Sequence, residues 1–322
     1  MFNDFKIPQN YNSVVKKKRE IKMNAIEIRG LKKSFRGMYA LDGLDMTVPQ
    51  GAIYGFIGEN GSGKSTTEKI ICGHLVPDAG EVKLFGRRGN DAGVRSRVGA
   101  LIENAGCFPN SSVWANLMMQ ALNLGIENRA EEINRVLKIV RMEDNARTKF
   151  KSCSLGMKQR IGIAMALLGD PALLILDEPI NGLDTDGMRI MREILVDITT
   201  TCGCTVLISS HILGELEKIA THYGIIRQGR MIQELSAAEM DGRSRMFVSL
   251  KVRDMSGAID ILREKFANVQ REEDCIRVYD TEDTKAIVGA LLERGHAVCE
   301  LAKNKVGLEE YYISLMSEGG AK

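Results

Sequence analysis

The sequence has no long hydrophobic run. Its best candidate, residues 161–176, is broken by Gly169-Asp170-Pro171, so nothing reaches the roughly 18 apolar residues of a membrane-spanning helix. A charge imbalance is missing too: 44 Lys and Arg face 42 Asp and Glu, leaving +2, too balanced for a dedicated nucleic-acid or anionic-membrane binder. There is no paired cysteine framework. The seven cysteines are scattered, and Cys202-Gly203-Cys204 has no second Cys or His pair near it, which excludes a disulfide scaffold, argues against a metal site and points to reduced thiols in a cytosolic compartment. Lys16-Lys17-Lys18-Arg19 is followed by no apolar segment, so it is not a secretory signal. Residues 1–23 read as a disordered N-terminal extension, dispensable or preceding a true start at Met23. No repeat or low-complexity tract is present. What remains is ordinary globular composition, 44% apolar and 27% charged over 322 residues, enough for two domains.

From Ala25, apolar Ile26 and Ile28 alternate with Glu27 and Arg29, a strand with one buried face. Residues 52–57 are a short apolar run ended by Gly58, a helical pattern starts at Lys64, and 81–85 is another strand. Residues 112–124 and 130–140 carry apolar side chains at helical spacing. Strand-like runs return at 173–176 and 205–208, each followed by a helical pattern, so the connections read as crossovers and the sheet as largely parallel. Beyond Arg230 the elements are shorter. They follow the order β-α-β-β-α-β with a weak strand near Val269, closed by a helix over 308–316. A domain boundary is expected near 240.

Gly58-Glu59-Asn60-Gly61-Ser62-Gly63-Lys64-Ser65, continued by Thr66, fits the phosphate-binding loop G-x-x-x-x-G-K-[ST] between a strand and a helix. The glycines let successive backbone N–H groups turn inward around the phosphates. Lys64 supplies a charge at the β- and γ-phosphates, and the Ser65 hydroxyl can ligate Mg²⁺. Alone, the loop indicates only a nucleoside triphosphate. Farther on, Leu173-Leu174-Ile175-Leu176-Asp177-Glu178-Pro179 is a buried strand ending in two acids. Asp177 is placed to hold Mg²⁺, and Glu178 to orient or deprotonate an attacking water. The ordinary alternative is an acidic pair capping the next helix.

Between these lies Ser152-Cys153-Ser154-Leu155-Gly156-Met157-Lys158-Gln159-Arg160. By itself it is a helix start with Ser154 as N-cap. In this position it resembles the signature motif of ABC-type ATPases. Asn181-Gly182-Leu183-Asp184 then resembles that family's D-loop, His211 after Ser209-Ser210 its switch histidine, and Phe35 the aromatic that stacks on adenine. The resemblance covers residues 24–235. It implies an α/β P-loop NTPase fold: a core with a mainly parallel sheet, an antiparallel β subdomain and a helical subdomain (about 104–165), filling residues 24–240. A small C-terminal α+β accessory domain would follow at 241–322.

It further implies ATP hydrolysis in a head-to-tail homodimer, or a pair with another ABC subunit. Each ATP would be held by one subunit's loop and by Ser154 and Gly156 of the other, with Asp184 of the D-loop also counted among the nucleotide-binding residues. Two departures are small: Cys153, Leu155 and Met157 replace the usual signature residues, and Thr185 stands where the D-loop normally has Pro. A third points to a branch. Glu103 stands where the family usually has the Q-loop glutamine, and the stretch from Ile102 through Asn110 resembles bacitracin-resistance and lantibiotic-immunity exporters. Glu103 would add a carboxylate beside Mg²⁺; a neutral surface variation is the ordinary reading.

The resemblance therefore implies the ATP-binding subunit of an exporter, working at the cytoplasmic face of the cell membrane with membrane-spanning subunits on separate chains and no nucleic acid. A soluble ABC ATPase acting on ribosomes or DNA is the main alternative, with a P-loop signalling switch behind it. His74 and His222 are expected at helix ends as surface or capping residues. Trp114, Met118 and Met119 read as core, or as a surface for a membrane subunit. Lys285, Glu293 and Glu309 read as solvated helix faces.

Overall fold

The computed structural model describes residues 23–318; Lys16 to Arg19 and the rest of the expected extension before Met23 lie outside them. The chain divides into two compact units between Glu234 and Leu235, a few residues ahead of the expected 240.

The first unit begins with β1 (Asn24–Phe35), β2 (Met38–Pro49), β3 (Ile53–Ile57), α1 (Lys64–Ile71), β4 (Ala79–Leu84), β5 (Arg87–Arg88), the short α2 (Ala92–Arg95) and β6 (Val98–Leu101). Helices α3 (Val113–Asn123), α4 (Arg129–Ile139) and α5 (Leu155–Leu167) pack on one another. The unit continues with β7 (Leu173–Asp177), α6 (Thr185–Thr201), β8 (Thr205–Ser209), α7 (Leu213–Leu216) and β9 (His222–Arg227), and its last strand, β10 (Arg230–Ser236), runs two residues past the division.

Two sheets form, and the sequence says why they differ. The alternation in β1 leaves one wet face, and it joins an antiparallel sheet in the order β2-β1-β4-β5. β3 and β8 are buried at every residue, and β7 at all but Asp177, as expected of strands covered on both faces. They lie in a six-stranded sheet ordered β10-β9-β3-β8-β7-β6, whose β9–β3, β3–β8, β8–β7 and β7–β6 pairings are parallel. Parallel pairing brings the carboxyl ends of β3, β7 and β8 to one edge, where ligands of open α/β sheets bind. His222 is a correction: it opens β9 opposite Tyr54 of β3 and is not at a helix end. Helix α7 stops at Leu216, and the turn after it delivers the Thr221 N–H to the Ile53 carbonyl, starting another parallel strand.

The second unit contains α8 (Ala237–Arg243), β11 (Met246–Val252), α9 (Met255–Lys265), β12 (Val269–Arg271), β13 (Ile276–Tyr279), α10 (Thr284–Leu292), β14 (Val298–Lys305) and α11 (Leu308–Glu318). Its antiparallel sheet, ordered β12-β13-β11-β14, shares a core of Val248, Leu250, Leu262, Ile276, Ile287 and Leu291 with α9 and α10. Among the described residues no helix is long and apolar enough to cross a membrane. All seven cysteines are free.

Candidate nucleotide site

The buried strand β3 ends at Ile57, and the chain turns through Gly58-Ser62 into α1. Gly63 has φ +112°, and a Cβ there would lie 2.7 Å from the Ala40 carbonyl oxygen, so only glycine fits. As the N-cap of α1, Gly63 offers no side chain to the first helical N–H groups. They stay open, with the helix dipole behind them, as an anion cradle. Lys64 is buried and folds back over the loop, donating to the Gly58 carbonyl at 2.6 Å and the Glu59 carbonyl at 3.1 Å. These are neutral acceptors that a phosphate oxygen can displace. The Ser62 hydroxyl is buried without a partner. Glu59, Asn60 and Gly61 are exposed, and Thr66 takes the third position of α1.

Asp177 ends β7 beside this loop. One carboxylate oxygen accepts from the Ser65 hydroxyl at 3.2 Å, the other from the Ser209 hydroxyl at 2.6 Å. The Ser65–Asp177 pair is an all-oxygen set that fits a hard divalent cation such as Mg²⁺. Glu178 follows with φ +50°, an unfavourable conformation for a residue with a Cβ. It is held there by its N–H to the Ser209 carbonyl at 3.1 Å and hydroxyl at 3.2 Å. The turn aims the Glu178 carboxylate away from Asp177 at His211, whose Nδ1 lies 2.8 Å from it. His211 is half-exposed. A carboxylate and an imidazole in contact at the solvent edge of a phosphate loop can together orient a water and move its proton.

The other expected residues have contacts of their own. Ser154 caps α5, its hydroxyl accepting from the Met157 N–H at 3.3 Å, and Asp184 caps α6 by accepting from the Gly187 N–H at 2.8 Å. Gly156 sits one position into α5, close to Leu183. Phe35 is exposed at the end of β1, with Lys33 over its ring at 5.6 Å. Glu103 has φ +66° and pairs with Lys69 at 2.8 Å. That cation holds its carboxyl below the ordinary range.

Two contributors escaped the sequence reading. Ser209, quoted only as the lead-in to His211, fixes both Asp177 and the Glu178 backbone. Lys69 holds Glu103 and was not singled out. Nothing local marks either; only the order of the parallel strands brings Ser209 to Asp177.

The chain resembles known proteins over most of its length. The ABC transporter family model matches residues 41–181. The bacitracin transport ATP-binding protein of Bacillus licheniformis is 34% identical over 91% of this chain and 98% of its own. The lantibiotic transport ATP-binding protein of Streptococcus pyogenes is 38% identical over 67% and 92%. Among solved structures, a subunit of the cbiONQ transporter complex of Clostridium perfringens superposes with TM-score 0.63 at 23% identity, covering 76% of this chain and 97% of that one. A dimeric ATP-binding cassette with ADP and phosphate superposes with TM-score 0.60 at 22% identity, covering 66% and 98%. These two speak to the fold. Identity sustained along a relative's whole length speaks to descent, and this chain belongs to the ABC transporter family as one of its ATP-binding, ATP-hydrolysing subunits.

Proposed function

We propose that the chain powers export of a peptide antibiotic or other amphipathic compound, working at the cytoplasmic face of the membrane through membrane-spanning subunits on separate chains. The observation that carries this is the meeting of Ser65, Asp177, Glu178 and His211 beside an open phosphate loop. The relatives named for bacitracin and lantibiotic transport support the choice of cargo.

In the proposed mechanism, the N–H groups at the start of α1 and the Lys64 ammonium bind the β- and γ-phosphates, and Phe35 stacks on the adenine. Ser65 and Asp177 would hold Mg²⁺, with Glu103 near it, and a bound ion would supply positive charge against the phosphates. Glu178 orients the attacking water and takes its proton, while His211 keeps the Glu178 carboxylate in position and reaches toward the γ-phosphate. Ser154, Gly156 and Asp184 act on a second subunit's nucleotide, so a homodimer or paired ABC subunit closes over two ATP molecules.

The test uses tagged Glu178→Gln protein with ATP, recovered from gently solubilised membranes of its native cells. A polytopic membrane protein should co-purify, and cells carrying only this variant should lose protection against bacitracin-like peptides. Recovery of ribosomal proteins in place of a membrane subunit, with the dimer intact, would refute the transport reading.

A further inference from the structure

Glu68 lies on the inner face of α1, which packs on β7, and none of its surface reaches solvent. The structure gives neither buried carboxyl oxygen a hydrogen bond within ordinary reach, although the Ser209 hydroxyl is close enough to oppose part of the effect of burial on the carboxyl. An ionised carboxylate in such a place loses its hydration, and the Ser209 hydroxyl and the Lys64 charge offset only part of that cost. The groups facing it are the Ser209 hydroxyl on β8, the carboxylates of Asp177 and Glu178 at the end of β7, Lys64 and Lys69 on its own helix, and Cys72 at that helix's end. Burial first, and then the Asp177 charge, push Glu68 up to about 8.

The protons around Ser209 can be counted. Its hydroxyl has one, donated to Asp177 at 2.6 Å, and its oxygen already accepts from the Glu178 N–H at 3.2 Å. Ser209 has no proton left for Glu68, but it has one free lone pair. The two groups can meet only if Glu68 brings the proton.

We propose that Glu68 is a positioning residue, kept as the neutral acid, which donates to Ser209 and so braces from behind the hydroxyl that aims Asp177 at the metal position. The file runs from Glu68 to Ser209 to Asp177, with Ser65 at its far end. Glu68 touches neither nucleotide nor metal; it sets the orientation of a residue that would. This inference rests on the reading of Asp177 as the Mg²⁺ carboxylate.

Two measurements on the full chain test it. Infrared difference spectra of metal-free protein at pH 7 should show a protonated-carboxyl C=O stretch in wild type that is absent from Glu68→Gln and Glu68→Leu; its absence from wild type overturns the proposal. The second titrates Mg²⁺ against binding of a fluorescent ATP analogue. Gln can still donate to Ser209 and should stay within about twofold of wild type, whereas Leu, which packs but cannot donate, should need on the order of tenfold more Mg²⁺, as for other groups behind a metal ligand. Binding without Mg²⁺ should be equal in all three, which a general folding defect would not allow. In a Ser209→Ala background the Leu substitution should add nothing. A Mg²⁺ requirement unchanged in Leu, equally raised in Gln, or still additive without Ser209 overturns the positioning role. If Mg²⁺ fails to tighten binding even in wild type, the metal reading of Asp177 falls, and this inference with it.

Discussion

Replacing Glu68 by Gln removes one titration and preserves the side chain's shape, so pH isolates the energetics of that single group. Its carboxyl sits at about 8 in the folded protein, against an ordinary 4.5. An acid raised on folding carries a definite sign. Below pH 4.5 both states hold the proton and there is no cost. Between 4.5 and 8 the unfolded chain ionises while the folded one does not, so wild-type stability falls; above 8 the cost stops growing. At about 1.4 kcal/mol per pH unit the full penalty is about 5 kcal/mol, and the part expressed between pH 5 and pH 8 is about 3.5 kcal/mol. Gln pays none of it. Urea unfolding in EDTA without nucleotide, followed through Trp114, the sole tryptophan and part of the first unit, reads this directly. Gln should gain on wild type by that amount from pH 5 to pH 8, roughly 1–3 M in midpoint. A stability difference that stays constant across the range would refute the buried, neutral Glu68.

Three further outcomes are expected. Glu178→Gln should bind ATP normally while turnover falls by a factor on the order of 10² or more; wild-type turnover would remove Glu178 from the chemistry. Ser154→Ala should impair hydrolysis and leave the monomer's nucleotide affinity nearly unchanged, since the Ser154 hydroxyl bonds the Met157 N–H at the start of its own helix; a large fall in monomer affinity, by equilibrium dialysis, would contradict action across a dimer. Lys69→Ala should leave the melting temperature unchanged, because the Lys69–Glu103 pair is exposed and screened by solvent; a clear drop would make the pair structural.

Elements with local signals were legible before any tertiary contact was known. Strand, glycine turn and helix around Gly58-Ser65 follow from an apolar run over 52–57, closely spaced glycines and a helical pattern from Lys64. The apolar run 173–176 likewise announces a buried strand with Asp177 at its end. The α-β alternation after Met246 resolves into the four-stranded sheet of the second unit, weak strand near Val269 included. Less was legible in 213–236, where the expected helix end at His222 is a strand. A short strand whose main support is a neighbour from residues 53–57 carries little pattern of its own.

Which charges meet depends on the packing of distant segments. Strand order sets Ser209 against Asp177, the turn at Glu178 sends two adjacent acids to different partners, and Lys69 takes Glu103. The same packing closes over Glu68, which the sequence shows only as one more acid in a helix. Partner choice depends on which distant strands become neighbours, and burial on what covers a face. Neither is written in local spacing, and both set the electrostatics of the site.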